Sequence, residues 1–211
     1  MKVAFNRNLL AAAACLLAMV LASVADAERG EQLFQLCSQC HGVDGGGNQL
    51  ALAPSIAGLD LWYVRRQLEK FRSGIRGTHP GDISGLRMHP MALQLVRDED
   101  LEAVAAYVAS MPVVKPEPTL EGGDAERGSE LFKVCATCHG ADGKGNEQLF
   151  GPPLNHASDW YLFAQLEKFR SGVRGADPRD QQGALMRPMA MSLPNEQAMK
   201  DAIAHIMTLA H

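Results

Sequence analysis

The chain has 211 residues, a formal net charge of −4, a mean hydropathy of −0.11 and five cysteines. The acidic balance argues against a nucleic-acid partner, which requires a basic face.

Residues 1–27 have the pattern of a secretory leader. Lys2 and Arg7 form a positive start, Leu9 to Val24 is apolar, and small residues follow. Ser23 and Ala25 suit cleavage after Ala25, and Ala25 and Ala27 suit cleavage after Ala27. The 16-residue apolar run is shorter than the roughly 20 residues a membrane span needs, so removal is expected rather than a retained anchor. Cys15 lies inside the run with apolar residues after it, which does not suit lipidation. The expected location is periplasmic. Without Lys2, Arg7 and Asp26 the chain is one unit more negative, and four cysteines remain.

A helix is predicted from Glu28 to Leu36, with Leu33 and Phe34 turned inward. It runs into Cys37-Ser38-Gln39-Cys40-His41, and the same pattern returns as Cys135-Ala136-Thr137-Cys138-His139. Cys-x-x-Cys-His is the attachment sequence of a c-type haem. Two cysteines a helical turn apart can form thioethers to one porphyrin, and the next histidine can ligate its iron. A zinc ribbon would need its cysteine pairs about 15–20 residues apart, whereas 95 positions separate Cys40 from Cys135. A thioredoxin-like pair would need a βαβ context, and none is visible. The two motifs use all four remaining cysteines, so no disulfide is expected.

Leu61, Val64, Leu68 and Phe71 form a helical stripe, and Gly74 ends it. Asp98-Glu99-Asp100 opens a further helix with Leu101, Val104, Val108 and Met111 on one face. Glycine-rich segments, including Gly77 to Gly85, connect these elements. No segment alternates as a strand does, so the fold class is all-α.

The pattern from Glu28 onward repeats from Glu126 at a constant offset of 98 positions. Trp62-Tyr63 returns as Trp160-Tyr161, Gln67 to Gly74 returns unchanged as Gln165 to Gly172, and Pro90-Met91-Ala92 returns as Pro188-Met189-Ala190. This is a tandem duplication: a first domain over 28–112, a proline-rich, semi-rigid linker over 113–123 and a second domain over 124–211. Each copy is small for a self-sufficient core, so fold and haem are expected to be inseparable.

His41 and His139 supply one axial ligand each. The other must recur in both copies. His79 aligns with Asp177 and His89 with Arg187, whereas Met88 recurs as Met186 and Met91 as Met189. Each half on these residues resembles a class I cytochrome c domain, and the whole resembles the di-haem cytochrome c4 family over residues 28–211. In class I domains the ligand methionine commonly precedes a core position of the last helix by sixteen residues. Met91 stands in that relation to Tyr107, and Met189 to His205. The resemblance therefore selects Met91 and Met189, leaving Met88 and Met186 to pack against the ring edge as the alternative axial pair. It also implies that the Pro54 and Pro152 carbonyls orient the two histidines. The histidine at position 205, in place of Tyr107, predicts that the last helix of the second domain packs differently or is wetter.

The resemblance implies a periplasmic one-electron carrier with two haem c groups, no catalytic residue, and haems whose propionate edges face at the domain interface. Its partners would be a redox donor and acceptor, among them a membrane cytochrome oxidase, with the chain soluble or peripherally attached. The alternative is a di-haem electron-accepting subunit of a dehydrogenase such as flavocytochrome sulfide dehydrogenase. A di-haem peroxidase would need an open iron, which the repeated methionines argue against. The repeated Lys70, Arg72 and Arg76, with Lys168, Arg170 and Arg174, read either as a solvated helix end or as supplying an Arg in each copy to the haem propionates, since bidentate geometry favours Arg over Lys. Trp62 and Trp160 read as core residues first, with an indole N–H to a propionate as the second reading.

Overall fold

The computed structural model describes residues 25–209. The leader expected over 1–27 lies, except for its last three residues, outside the described residues. Among the described residues every extended element is a helix, and pairing is confined to the isolated bridges Asn48–Ala53 and Asn146–Gly151. No helix among them is long and apolar enough to cross a membrane.

In the first half, α1 (residues 25–41) crosses α4 (Asp98–Ser110). Phe34 is fully buried and its ring lies 5.3 Å from that of Tyr107. Leu101, Val104 and Val108 complete the core from α4, with Leu59 and Val64. The crossing depends on Gly30, where a Cβ would stand 2.3 Å from the Ala103 carbonyl oxygen. In the second half, α5 (Ala125–His139) crosses α8 (Glu196–Ile206) in the same way. A Cβ on Gly128 would come within 1.9 Å of the Asp201 oxygen. This close approach explains why glycine stands at both Gly30 and Gly128. Gly128→Ala is expected to destabilise the holoprotein at the upper end of the ~1–3 kcal/mol typical of overpacking, read as a lowered midpoint in denaturant.

His205 does not disturb this arrangement. Its ring stands 5.3 Å from Phe132, as Tyr107 stands from Phe34. The different packing expected at position 205 is not found, because an imidazole still presents a flat half-buried face to the phenylalanine.

The stripe on α2 (Leu61–Arg72) buries Val64 and Phe71, while Leu61 at the helix start is exposed. Its counterpart is α6 (Asp159–Ser171). Arg72 donates to the Leu95 carbonyl at 3.0 Å, and Arg170 donates to the Leu193 carbonyl in the matching place.

Two helices were not expected. They are α3 (Ile83–Leu93) and α7 (Gln181–Met191), and they carry all four candidate methionines. Each contains a proline, Pro90 or Pro188, a residue that normally argues against a helix interior. Each also starts on an aspartate: Asp82 accepts from the Gly85 amide at 3.0 Å and Asp180 from the Gly183 amide at 2.9 Å. That cap satisfies a donor the helix start would otherwise leave unpaired.

Candidate functional site

The last turns of α1 and α5 carry the cysteines, with Cys37 and Cys135 half-buried and Cys40 and Cys138 exposed. Burial pushes the Cys37 thiol up to about 11 and raises that of Cys135. At neutral pH, with nothing bound, both stay protonated. No group of three or more His, Cys, Asp or Glu among the described residues converges to hold a metal ion.

His41 and His139 are each 5 % exposed. Nδ1–H of His41 donates to the Pro54 carbonyl at 2.8 Å, and that of His139 to the Pro152 carbonyl at 2.7 Å. Those bonds assign the tautomer and leave each Nε2 with its lone pair free. Burial lowers both pKa values, more than the proline bonds raise them. Two neutral imidazoles with a fixed ring orientation result. The loops that follow are fastened in the same way, Gly47 N–H to the His41 carbonyl at 2.8 Å and Gly145 N–H to that of His139 at 2.7 Å.

One continuous cavity with mostly apolar walls runs past both histidines. Met88 and Met186 line it, half-buried. Met189 also reaches the lining but is 38 % exposed, and Met91 is 39 % exposed and off the lining. This reverses the order expected from the sixteen-residue spacing, and the helix explains why. On α3 the buried Gly85 and Ala92 bracket Met88 along one stripe, and on α7 Gly183 and Ala190 bracket Met186. At 100° per residue, Met91 and Met189 stand about 60° further round, toward the surface.

The repeated basic residues are not a solvated face. Lys70 and Arg76 are buried, and they lie where the halves meet. Lys70 pairs with Asp180 at 2.5 Å and Lys168 with Asp82 at 2.6 Å, two bonds related by the 98-residue offset. Gln67, Arg76, Gln165 and Arg174 form a second reciprocal set. Each contact thus occurs twice with the halves exchanged, as in an isologous dimer. Arg72 and Arg170 instead brace their own halves. Trp62 and Trp160 are half-buried rather than core, and the Trp62 indole donates to Asp60 at 3.2 Å.

Burial pushes the Asp82 carboxyl up, but the bond and charge of Lys168 outweigh it and hold the group below its ordinary value. A depressed carboxylate stabilises the fold above its unfolded pKa of about 3.9 and loses that contribution as pH falls through the folded value. Asp82→Asn is therefore expected to cost about 3–5 kcal/mol at pH 7. The difference from wild type should stay constant above pH ~4 and shrink below it, as measured by denaturant unfolding of the holoprotein across pH.

The residues present fit a covalent haem. Cys135, Cys138 and both neutral imidazoles line an apolar cavity, Cys37 and Cys40 sit on the helix turn that ends at His41, the Met88 and Met186 thioethers stand on other helices, and Nε of Arg76 and of Arg174 are buried without a partner, as carboxylate-binding donors would be. The family model for cytochrome c matches residues 27–112 and again 125–210. The thiosulfate dehydrogenase electron acceptor of Stutzerimonas stutzeri strain A1501 is 36 % identical, with 90 % of this chain and 91 % of that protein aligned. Cytochrome c4 of Stutzerimonas stutzeri is 32 % identical over 81 % of this chain and 83 % of its own length. The chain belongs to the di-haem cytochrome c4 family. The crystal structure of reduced recombinant cytochrome c4 from Pseudomonas stutzeri superposes with a TM-score of 0.67 at 30 % identity, covering 87 % of this chain and 98 % of that one.

As a member of that family, the chain is a di-haem electron carrier, not an enzyme, and binds two haem c groups covalently. Its partners are redox proteins. Membership is consistent with a location outside the cytoplasm.

Proposed function

We propose that the chain, freed of residues 1–27, works in the periplasm and delivers single electrons to a membrane terminal oxidase. The domains are assigned as 28–112 and 124–211, joined by 113–123. Cys37 and Cys40 attach one haem and Cys135 and Cys138 the other. His41 and His139 hold the irons through Nε2, oriented by Pro54 and Pro152. Met88 and Met186 would supply the second protein ligand, in preference to Met91 and Met189.

The bound haem supplies one-electron exchange between ferric and ferrous iron. The chain's own residues do the rest. The proline carbonyls keep each imidazole neutral and aimed, so coordination requires no ring rotation. Phe71, Leu162, Phe169 and Ile203, which line the cavity, exclude water and keep the surroundings apolar. With the Met88 or Met186 thioether as a second protein ligand, the site would offer no place to oxygen or peroxide and would be confined to electron exchange.

The single observation that carries this reading is the duplicated His–Pro–Met arrangement opening on one cavity. Mixing the ferrous protein with oxidase-containing membranes under air tests it. Reoxidation at the rate of oxidase turnover is expected, and membranes that leave the protein reduced would overturn the oxidase assignment. The similarity to a thiosulfate dehydrogenase electron acceptor favours a second reading, in which a dehydrogenase is the electron donor. Reduction by such an enzyme with thiosulfate present, faster than by thiosulfate alone, would support it.

A further inference from the structure

The cavity shared by the halves has an unbalanced charge. Arg66, Lys70, Arg76 and Arg174 line it, and no aspartate or glutamate does. Lys70 is neutralised by Asp180. Arg76 and Arg174 take part in no ion pair among the described residues, although Arg76 is only 6 % exposed. A buried cation without a counter-charge is costly.

The hydrogen bonds point the same way. Arg76 donates from Nη1 to Gln67 Oε1 at 2.5 Å and from Nη2 to Gln165 Oε1 at 3.4 Å. Arg174 donates from Nη1 to Gln165 Oε1 at 2.9 Å and from Nη2 to Gln67 Oε1 at 3.2 Å. The charge of Arg174 also falls on the Tyr63 hydroxyl, and that of Arg76 on Tyr161. Each guanidinium is thus gripped by both halves, and each keeps Nε–H buried and unspent. Phe71 lies 4.3 Å under Arg76 and Phe169 4.6 Å under Arg174, which fixes each plane. Two forks are rigid, charged and short of an acceptor, in a cavity that reaches both histidines.

We propose that Arg76 and Arg174 form one carboxylate-binding seam, shared by the halves, that takes propionates of both haems. The inference rests on the two-haem reading. Its consequence is that neither arginine belongs to one haem alone. Because the four hydrogen bonds to Gln67 and Gln165 tie the guanidiniums together, loss of either positive charge is felt at both irons.

The test is a spectroelectrochemical titration of full-length holoprotein, with haem content measured first. Wild type lacking two haems would defeat the underlying reading, separately from this one. Given two haems, Arg76→Gln is expected to lower the potential of both, changing the ferric-to-ferrous ratio at fixed potential roughly threefold or more at each. Arg174→Gln is expected to do the same. Arg76→Lys retains the charge but not the fork and should restore most of the shift at both. Arg72→Gln, which loses only contacts to Leu95 and Asp98, should move neither. A shift confined to one haem overturns the sharing, and no shift at either overturns the carboxylate seam. Should the glutamine variants fail to fold, the lysine variants decide: small shifts at both haems support the seam, and unchanged potentials reject it.

Discussion

Replacing Cys135 and Cys138 with serine is expected to leave the exported chain with one haem and to unfold its second half. The core of that half is small: Phe132, Ala157, Leu162, Ile203 and Ile206 in one cluster, and Leu193, Ala198, Met199 and Ala202 in another. Leu162, Leu193, Ala202 and Ile203 also face the cavity. Without a covalently held apolar group these side chains border a void, and a void forfeits packing on every side. A unit of this size has little stability in reserve. The loss propagates, because Asp180 would leave Lys70 without its partner at the seam. The expected result is a chain mass increased by one haem, half the visible absorbance, and circular dichroism showing reduced helix. A variant that keeps full helicity and cooperative unfolding with one haem would show that the second half folds without its cofactor.

Met88→Ala and Met186→Ala are each expected to abolish the methionine-to-ferric charge-transfer band of one haem and lower that haem's potential, since a thioether ligand raises it. Met91→Ala and Met189→Ala should leave both bands in place. The distinction rests on the stripe of Gly85, Met88 and Ala92, two of them buried on the face of α3 that meets the cavity. The opposite pattern, loss with Met91 and retention with Met88, would return the assignment to the sixteen-residue spacing.

The haem chemistry was legible in the sequence because it depends on local spacing. A Cys-x-x-Cys-His run on a helix end states its own purpose, and the 98-residue offset shows it twice. The crossing helices were legible for a related reason, their stripes recurring at helical spacing. What escaped depended on tertiary context. Pro90 and the flanking glycines hid α3, whose start is secured by a cap from Asp82. Lys70 at the end of α2 is indistinguishable in sequence from a solvated cation, and only the docked second half, with Asp180, makes it buried. Met88 and Met91 are both duplicated, so repetition could not separate them. Their orientation on a helix that composition did not reveal is what the proposed assignment uses instead. The reciprocal seam could have been suspected from one signal: the stretch Gln67 to Gly74 is unchanged between copies although its flanking residues differ, and an isologous contact constrains both copies alike.

Two closed, single-electron sites in one chain are the core of the account, and a coulometric titration of the exported protein tests it most directly. The expected outcome is uptake of two electrons per chain, with the ferric methionine band present at the start and bleached over both steps. A chain that takes up one electron, or a ferric protein without that band at either iron, would contradict it.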